Sequence, residues 1–355
     1  MCIRDRPWPG KRRLRGEIAG LEAEAIAPQL DRVKLGLTAA VKRAYWSLAL
    51  AQELKTLIDE QEETWREIEG VARARYAVGQ GAQQDVLRVQ VEQTRIAQLQ
   101  AEQQAEAEIR RAELNRLLAR SADAPFEGTG HLALRPDVRS TGERLADAEA
   151  ASPELRAGVI AIDRDRLAAS LARKDFQPDF TVQAGYMSRG RLDPMWQAGV
   201  GITLPIHRKR LTSGLAEAEA RLRESTRRLE SMRLQLRFRT QERLAQLRTA
   251  DTLARLYGAG IIPQGQMSVE AAIASYQAGK VPFISVLEAL STLYGDRSTL
   301  LRVLAGRERI RASLDEASLE ATSEMPAGGA APAMSLGAGT AGATSAGRPM
   351  AGMGK

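Results

Sequence analysis

Apolar and polar positions change their spacing within the second half of the chain. Over 153–175 the apolar residues recur at helical spacing, and Pro178 then ends the helix because proline cannot continue its hydrogen bonding. Beyond the proline, apolar residues alternate with small or polar ones in two runs that a polar turn separates. The pattern therefore predicts a helix over 153–175 followed by a β-hairpin over 179–205.

The predicted hairpin has one apolar face and one small or polar face. Each strand is about ten residues long, which spans a bilayer when the strand is tilted, and membrane strands carry their apolar side chains outward. We expect five residues to face lipid: Phe180, Val182, Trp196, Val200 and Ile202. The alternative is an amphipathic hairpin of a soluble sheet, whose apolar face would be covered by protein.

A heptad pattern follows the hairpin. Leucines recur every seven residues from Leu215 to Leu236, which indicates a supercoiled helix that is packed along its length. The predicted helix covers 208–278, a rod of roughly 105 Å, and Pro263 should kink or interrupt it. A returning helix is expected from 283 to about 320.

The strongest feature of the sequence is an internal repeat. The segment Tyr76-Ala-Val-Gly79 returns 200 positions later as Tyr276-Gln-Ala-Gly279, and each copy is followed by Val-Leu at the same distance. The basic run at 11–14 resembles the basic run at 208–211. A repeat of this kind marks one structural unit that is used twice.

The first copy lacks the helix and the two strands with which the second copy begins. We therefore expect the chain to be N-terminally truncated, with a signal peptide in the missing part, and residues 1–6 to be a non-native scar. The expected organisation is a truncated first repeat over 7–119 (long helix, tip turn, returning helix), a loop-rich equatorial connector over 120–152, the second repeat over 153–320, and a disordered tail over 321–355.

Composition narrows the possible functions. Only 4% of the residues are aromatic, which does not favour the compact core of an enzyme. The net charge is +7, but acidic and basic residues alternate along helical faces without interleaved aromatics, so nucleic acid is not an expected partner. No His, Cys and carboxylate cluster has metal-ligand spacing. We expect no catalytic residues, no cofactor and no metal site.

The order of elements and the motifs resemble one family. Helix, strand, strand, long helix, Tyr-x-x-Gly turn and returning helix, given twice, is similar to the TolC-like outer-membrane efflux proteins. The motifs that carry the resemblance are Tyr76 to Leu87, Tyr276 to Leu287, Gly260 to Gln264, and Leu204-Pro205 with the basic helix start that follows. The resemblance implies a mainly α fold of long coiled-coil hairpins, a transmembrane β-hairpin and an internal twofold repeat.

The resemblance also implies a mechanism. Three protomers would close a twelve-stranded barrel in the outer membrane, and their helices would continue across the periplasm as a hollow α-barrel. The helical tips would dock a periplasmic adaptor (membrane fusion) protein and an inner-membrane pump. The chain would then be a passive conduit in the outer membrane and periplasm. The motifs lean toward ducts that serve metal or drug pumps of the resistance-nodulation-division type.

A gate is implied at the tips. By motif position the gate carboxylate is Asp85 and the gate tyrosine is Tyr276, whereas the position of the gate arginine holds Val281. An acidic ring that narrows the pore would fall at Glu288. Asp85 has the alternative of a helix N-cap or first-turn acid, and Glu288 that of a solvated helix face.

The tip turns are the implied adaptor-docking surface. Gly79, Gly81, Gly279 and Lys280 would be exposed there, although glycine also suits a tight reversal without any partner. The alternative from another class of protein is a soluble coiled-coil scaffold or adaptor. That alternative requires the hairpin to be a small soluble sheet, and it gives no reason for the twofold repeat.

Overall fold

The computed structural model describes residues 2–126, 129–134, 139–190 and 192–319. The tail that was expected to be disordered, 321–355, lies outside these residues. The elements in chain order are β1 (Cys2–Arg6), α1 (Lys11–Glu24), α2 (Ile26–Ala77), α3 (Gln83–Leu117), α4 (Thr141–Ala151), α5 (Pro153–Lys174), β2 (Asp179–Arg189), β3 (Leu192–Thr203), α6 (Arg208–Leu256), a π-helical segment (Tyr257–Ile261), α7 (Ile262–Gln277) and α8 (Phe283–Glu316). Among the described helices, none is both long and apolar enough to cross a membrane.

Four helices lie side by side toward the two tip turns, which join α2 to α3 and α7 to α8. In this row α3 packs against α2, α2 against α8, and α8 against α7. The largest buried cluster fills the row and includes Leu57, Trp65, Ile68, Val89, Ile96, Tyr276, Phe283, Val286 and Leu290. Because α2 and α3 belong to the first copy and α7 and α8 to the second, the two repeats share one core. The predicted mainly α fold of long helical hairpins is confirmed.

The end of the molecule away from the tips is built by α1, α5 and α6. There α5 packs against both α1 and α6. The helices α5 and α6 approach closely at Gly158, where an added Cβ would lie 2.9 Å from Cδ1 of Leu229. Packing of this closeness explains why the residue at 158 is the smallest one available.

The sheet has three antiparallel strands in the order β1-β2-β3. The segment Cys2–Arg6 forms β1, although residues 1–6 were expected to have no place in the repeat. That residues 1–6 are a non-native scar stays a prediction. These five residues pair with the segment Phe180–Ala184 of β2. An extended segment beside β2 satisfies backbone groups that a bare strand edge would leave open. Like the end of β3, β1 leads directly into a basic helix start.

A hydrogen-bonded junction joins β2 to the start of α1. Asp179 Oδ1 accepts the backbone N–H of Trp8 at 2.7 Å and the ammonium group of Lys11 at 2.9 Å. The side chain of Lys11 is almost fully buried, and it also lies 3.6 Å from Asp175. A buried ammonium group requires such partners, so this junction fixes how the first helix leaves the sheet.

Both long rods are interrupted. The expected break at Pro263 is confirmed as the π-helical segment Tyr257–Ile261 just before it. Proline has no N–H to give to the carbonyl four residues earlier, and a π turn is a common response of a helix to such a loss. The rod of the first copy was expected to be a single helix, but it breaks at Ala25, three residues before Pro28, which lies in the first turn of α2.

The connector over 120–152 is less loop-like than expected, because it contains α4. The side chain of Ser140 accepts the N–H of Glu143, and the carboxylate of Glu143 accepts the N–H of Ser140 at 2.7 Å. This capping box starts α4. The Ser-x-x-Glu signature is visible in the sequence and could have predicted the helix.

Candidate functional site

The two chain reversals at the tips share one geometry. Gly79 and Gly279 both have φ of +72°, a backbone region that glycine enters without steric cost. The N–H of Gly79 donates to the carbonyl of Tyr76 at 3.0 Å, and that of Gly279 donates to the carbonyl of Tyr276 at 2.9 Å. The residue after each glycine donates to the carbonyl five residues earlier, at 2.9 Å. These paired bonds form a Schellman motif, which by itself accounts for both glycines.

The remaining tip residues are placed by the same turns. A Cβ at Gly81 would lie 3.1 Å from both Cβ of Arg75 and the backbone nitrogen of Tyr76, so a glycine is needed there for close approach. Gly79, Gly279 and Lys280 are exposed. Their role in docking an adaptor therefore stays a prediction, since turn geometry also explains the glycines.

Asp85 and Tyr276 meet across the two repeats. The hydroxyl of Tyr276 donates to Oδ2 of Asp85 at 3.1 Å. Asp85 lies in the first turn of α3, whose N-cap position is Ala82, so Asp85 is a first-turn acid and not the N-cap. Tyr276 is only 4% exposed, and its ring packs edge-on against Phe283 at 5.3 Å. Burial, together with the negative charge of Asp85, raises the pKa of Tyr276 to about 12.

The arginine of this cluster comes from the first tip. Motif position pointed to Val281, which is half-buried against the core. Instead, the guanidinium of Arg75 lies 4.7 Å from the centroid of the Tyr276 ring. It donates to the carbonyls of Tyr276, of Gln277 at 2.8 Å and of Gln80 at 2.9 Å. A basic residue in the last turn of a helix commonly binds carbonyls that the helix end leaves open, and this signal could have indicated Arg75.

We call Arg75, Asp85 and Tyr276 the tip latch. It joins the end of α2 and the start of α3 to the end of α7, so the two helical hairpins cannot separate at the tips without breaking it. Glu288 is exposed on α8 and is not part of the latch. The repeat is asymmetric here, because Tyr76 is 49% exposed although its counterpart Tyr276 is buried.

The five residues expected to face lipid lie on one face of the β-hairpin. In the observed register Phe180 is opposite Ile202, Val182 opposite Val200, and Tyr186 opposite Trp196. Directly opposite residues share a face of the sheet. The exposed fractions on this face are 78% for Trp196, 76% for Val200, 59% for Ile202 and 46% for Val182. Phe180 is partly covered by the ring of Trp8, at 6.1 Å.

The opposite face of the hairpin carries polar side chains and glycines. Thr181 is opposite Gly201, and Gln183 is opposite Gly199. The Gln183 side chain lies across the glycine, since an added Cβ at Gly199 would fall 2.7 Å from its Nε2 atom. The hairpin therefore has one large apolar face, which is open in the protomer, and one polar face, where side chains fold over glycine.

Comparisons with known proteins agree with this architecture. Residues 145–318 match the family model described as outer membrane efflux protein. The cobalt-zinc-cadmium resistance protein CzcC of Cupriavidus metallidurans is 26% identical over 310 residues, which cover 86% of this chain and 73% of CzcC. The solved outer membrane protein VceC of Vibrio cholerae has a TM-score of 0.72 at 20% identity, covering 89% of this chain and 77% of VceC. A membrane protein from Pseudomonas aeruginosa has a TM-score of 0.79 at 16% identity, covering 89% and 74%.

The solved structures show that the fold is the one found in outer-membrane channels. The second copy of the repeat therefore belongs to the outer membrane efflux protein family, whose model covers just under half of the chain. This confirms the resemblance that was drawn from the order of elements and the repeated tip motif. The alternative of a soluble coiled-coil scaffold is not favoured.

Proposed function

We propose that the chain is one protomer of a passive outer-membrane duct in a tripartite efflux system. The observation that carries the proposal is the apolar face of the β-hairpin, which is open in the protomer. The hairpin and the tip latch lie at opposite ends of the rod formed by α6, the π-helical segment and α7. A rod of that many residues is roughly 105 Å long, which suits a protein that carries cargo from a membrane across a wide aqueous compartment.

Arginine substitutions on the two faces of β3 test membrane insertion. Val200→Arg places a cation on the apolar face, and Gln197→Arg places the same cation on the polar face. An arginine on the lipid face of a membrane strand costs about 2–4 kcal/mol near the bilayer midplane. We expect Val200→Arg to abolish insertion into liposomes and Gln197→Arg to preserve it. If the hairpin were a soluble sheet, both variants would behave alike, because Val200 is already 76% exposed.

The two edges of the helical row support assembly into a ring. Both edges expose large apolar residues. On the edge formed by α3 these are Leu87, Val91, Leu99 and Ile109. On the edge formed by the rod of α6, the π-helical segment and α7 they are Leu256, Ile261 and Met267. Because the two edges are different, one edge of a protomer would pack against the other edge of its neighbour in a head-to-tail contact. Such contacts close into a ring when the rotation between successive protomers divides a full turn. The family resemblance implies that the ring is a homotrimer.

Engineered cysteines test the ring. Val91 and Met267 are each twelve residues from the glycine of their own tip and lie on opposite edges, so both are changed to cysteine. Cys2, the one cysteine of the sequence, would be replaced by serine. Oxidation of the double variant should give covalent trimers on a denaturing gel. Each single variant is the matched control and should stay monomeric. A double variant that gives only monomers or dimers would contradict a closed ring of three.

The exposed tips support the docking of a periplasmic adaptor and, through it, an inner-membrane pump. Lys280 follows the left-handed glycine of the second tip, and its side chain is exposed. We expect Lys280→Glu to weaken cross-linking to the adaptor because it reverses a charge at the docking surface. The equivalent change Arg223→Glu, in the middle of α6, is the control. Equal cross-linking by both variants and the parent protein would argue against docking at this tip.

The cargo is proposed to be divalent metal cations, and the duct itself is proposed to do no chemistry. The support is the 26% identity to CzcC, a protein named for cobalt, zinc and cadmium resistance. Expression with a matching adaptor and pump, in cells that lack their own duct, should restore growth in these metals. Restored growth in a hydrophobic drug but not in the metals would contradict this choice of cargo.

A further inference from the structure

Two basic segments stand where the β-sheet passes into the helices. From Arg6 to Gly16 the chain carries five basic residues and no acidic one, and from Ile206 to Ala216 it carries three, again with no acidic residue. Six of these side chains are exposed near the starts of α1 and α6: Arg12, Arg13, Arg15, Arg208, Lys209 and Arg210. We call these six residues the basic collar.

The basic collar is not explained by the stability of the helices that bear it. The N-terminal end of a helix carries partial positive charge, so cations in the first turn are unfavourable and acids are favourable. Neither α1 nor α6 has an acidic residue in its first turn. Of the six, Arg13 has an acidic neighbour one turn on, with Nε 3.5 Å from the carboxylate of Glu17, and the charge of Arg15 acts on the carboxylate of Asp179. The position of the charges therefore points to a negatively charged partner outside the helices.

An apolar surface adjoins the basic collar on the side of the sheet. Leu204 and Ile206, in the short link between β3 and α6, are 62% and 72% exposed. Leu204 continues the alternation of Val200 and Ile202, so it lies on the side of the exposed apolar face. Bands of exposed apolar residues next to bands of cations are typical of the boundary between acyl chains and lipid headgroups.

A groove of about 640 Å³ opens between the sheet and the helices at this level. Its apolar lining includes Leu204, Ile206, Leu211 and Leu215, and its polar lining includes Arg210, His207, Lys11, Asp175 and Asp179. Both carboxylates lie within ion-pair distance of the ammonium group of Lys11, at 3.6 Å and 2.9 Å. The acidic lining is thus held by the buried lysine, and Arg210 of the collar stays available to a ligand.

We infer that the basic collar binds the anionic headgroups of phospholipids in the periplasmic leaflet of the outer membrane. The inference rests on the proposed membrane insertion of the hairpin, because insertion brings the collar to the headgroups. The apolar link takes the upper acyl chain, and the collar takes the phosphate. Binding of this kind fixes how deep the strands sit, since the collar cannot follow them into the hydrocarbon.

Vesicle flotation tests the inference with the full chain. The probes are vesicles of phosphatidylcholine alone and of phosphatidylcholine mixed with phosphatidylglycerol. The collar variant carries Arg208→Gln, Lys209→Gln and Arg210→Gln. Its control carries Arg223→Gln, Arg228→Gln and Arg233→Gln, which remove the same charge from exposed positions further along α6. Each cation near an anionic surface contributes enough that losing three should lower the preference for the mixed vesicles tenfold or more.

The outcomes separate this inference from the proposed duct. We expect the parent and the control variant to prefer the mixed vesicles, with a preference that falls as salt is added, and the collar variant to keep only a small part of that preference. A parent protein that inserts without any preference would overturn the collar while leaving the duct intact. Failure to insert into either vesicle would overturn the duct itself. Displacement by inorganic phosphate alone would mean a simple phosphate site, which also contradicts lipid docking.

Discussion

Removal of a single hydroxyl group from the tip latch is the sharpest test of gating. Tyr276→Phe deletes the bond from the tyrosine hydroxyl to Oδ2 of Asp85, 3.1 Å away. It leaves the ring against Phe283 and beneath Arg75. A hydrogen bond to a charged group contributes about 1.5–3 kcal/mol. Asp85 is half-exposed, so water can replace part of the lost bond and the lower figure applies. That loss shifts the closed-to-open ratio about tenfold in each protomer.

The measurement is the open probability of the assembled channel in planar bilayers. The matched control is Tyr294→Phe, which removes the same atom from α8, where the hydroxyl lies 2.7 Å from Oγ1 of Thr64. Both variants remove a contact between the repeats, but only Tyr276→Phe acts at the tips. We expect frequent opening for Tyr276→Phe and parent-like closure for Tyr294→Phe. Equal closure of both variants would refute gating by the latch, and equal opening would show that any loosening of the hairpins suffices.

Four further predictions follow from the same contacts. Arg75→Lys keeps the charge but cannot span the three carbonyls that the guanidinium binds, so bilayer recordings should show opening intermediate between the parent and Arg75→Ala. Gly279→Ala forces a side chain into φ of +72° at a cost of roughly 1–2 kcal/mol, so it should lower the midpoint of thermal unfolding. Gly16→Ala, in the middle of helix α1, is the control and should raise that midpoint. A lower midpoint for both variants would contradict the argument from the turn. Gly158→Ala would place a methyl group 2.9 Å from a methyl of α6 and should destabilise the protein by about 1–3 kcal/mol in denaturant unfolding. Because burial raises the folded pKa of Tyr276 to about 12, the protonated hydroxyl stabilises the fold fully below the ordinary tyrosine pKa of about 10, and this contribution is lost as the pH rises through 12. The difference in tyrosinate absorbance between the parent and Tyr276→Phe should therefore titrate near pH 12. Titration at the ordinary tyrosine pKa would refute the burial of this hydroxyl.

Local patterns were sufficient for the long helices and the β-hairpin of this protein. The change from helical spacing to alternation at Pro178 predicted both α5 and the strands β2 and β3, whose register then placed the five apolar residues on one face. The two Tyr-x-x-Gly motifs predicted two reversals, and both adopt the same Schellman geometry. Each of these features depends on residues that are close in sequence, so spacing and turn chemistry are enough to predict them.

The missed features are those that depend on partners far away in the chain. The pairing of Cys2–Arg6 with β2 joins segments that are separated by the whole first copy, the connector and α5, and no alternation within five residues signals it. The place of the arginine in the latch was also missed, because Arg75 reaches the end of α7 only through the packing of α2 against α8. The capping box at Ser140 is a different case, since its Ser-x-x-Glu signature is local and is present in the sequence.

The sequence by itself determined the repeat, the order of the long helices and the hairpin, and the apolar hairpin face, whereas the family resemblance implied the pairing of Asp85 with Tyr276. Only the tertiary structure decided that Tyr276 is buried while Tyr76 is exposed, although the two residues hold the same place in the repeat. The physical reason lies in the row of helices. Tyr276 ends α7, where its ring packs against Phe283 of α8 and beneath Arg75 of α2, whereas Tyr76 at the end of α2 is 49% exposed, so similar local motifs meet different neighbours. Burial and charge partners follow from those neighbours, and a local pattern does not contain them.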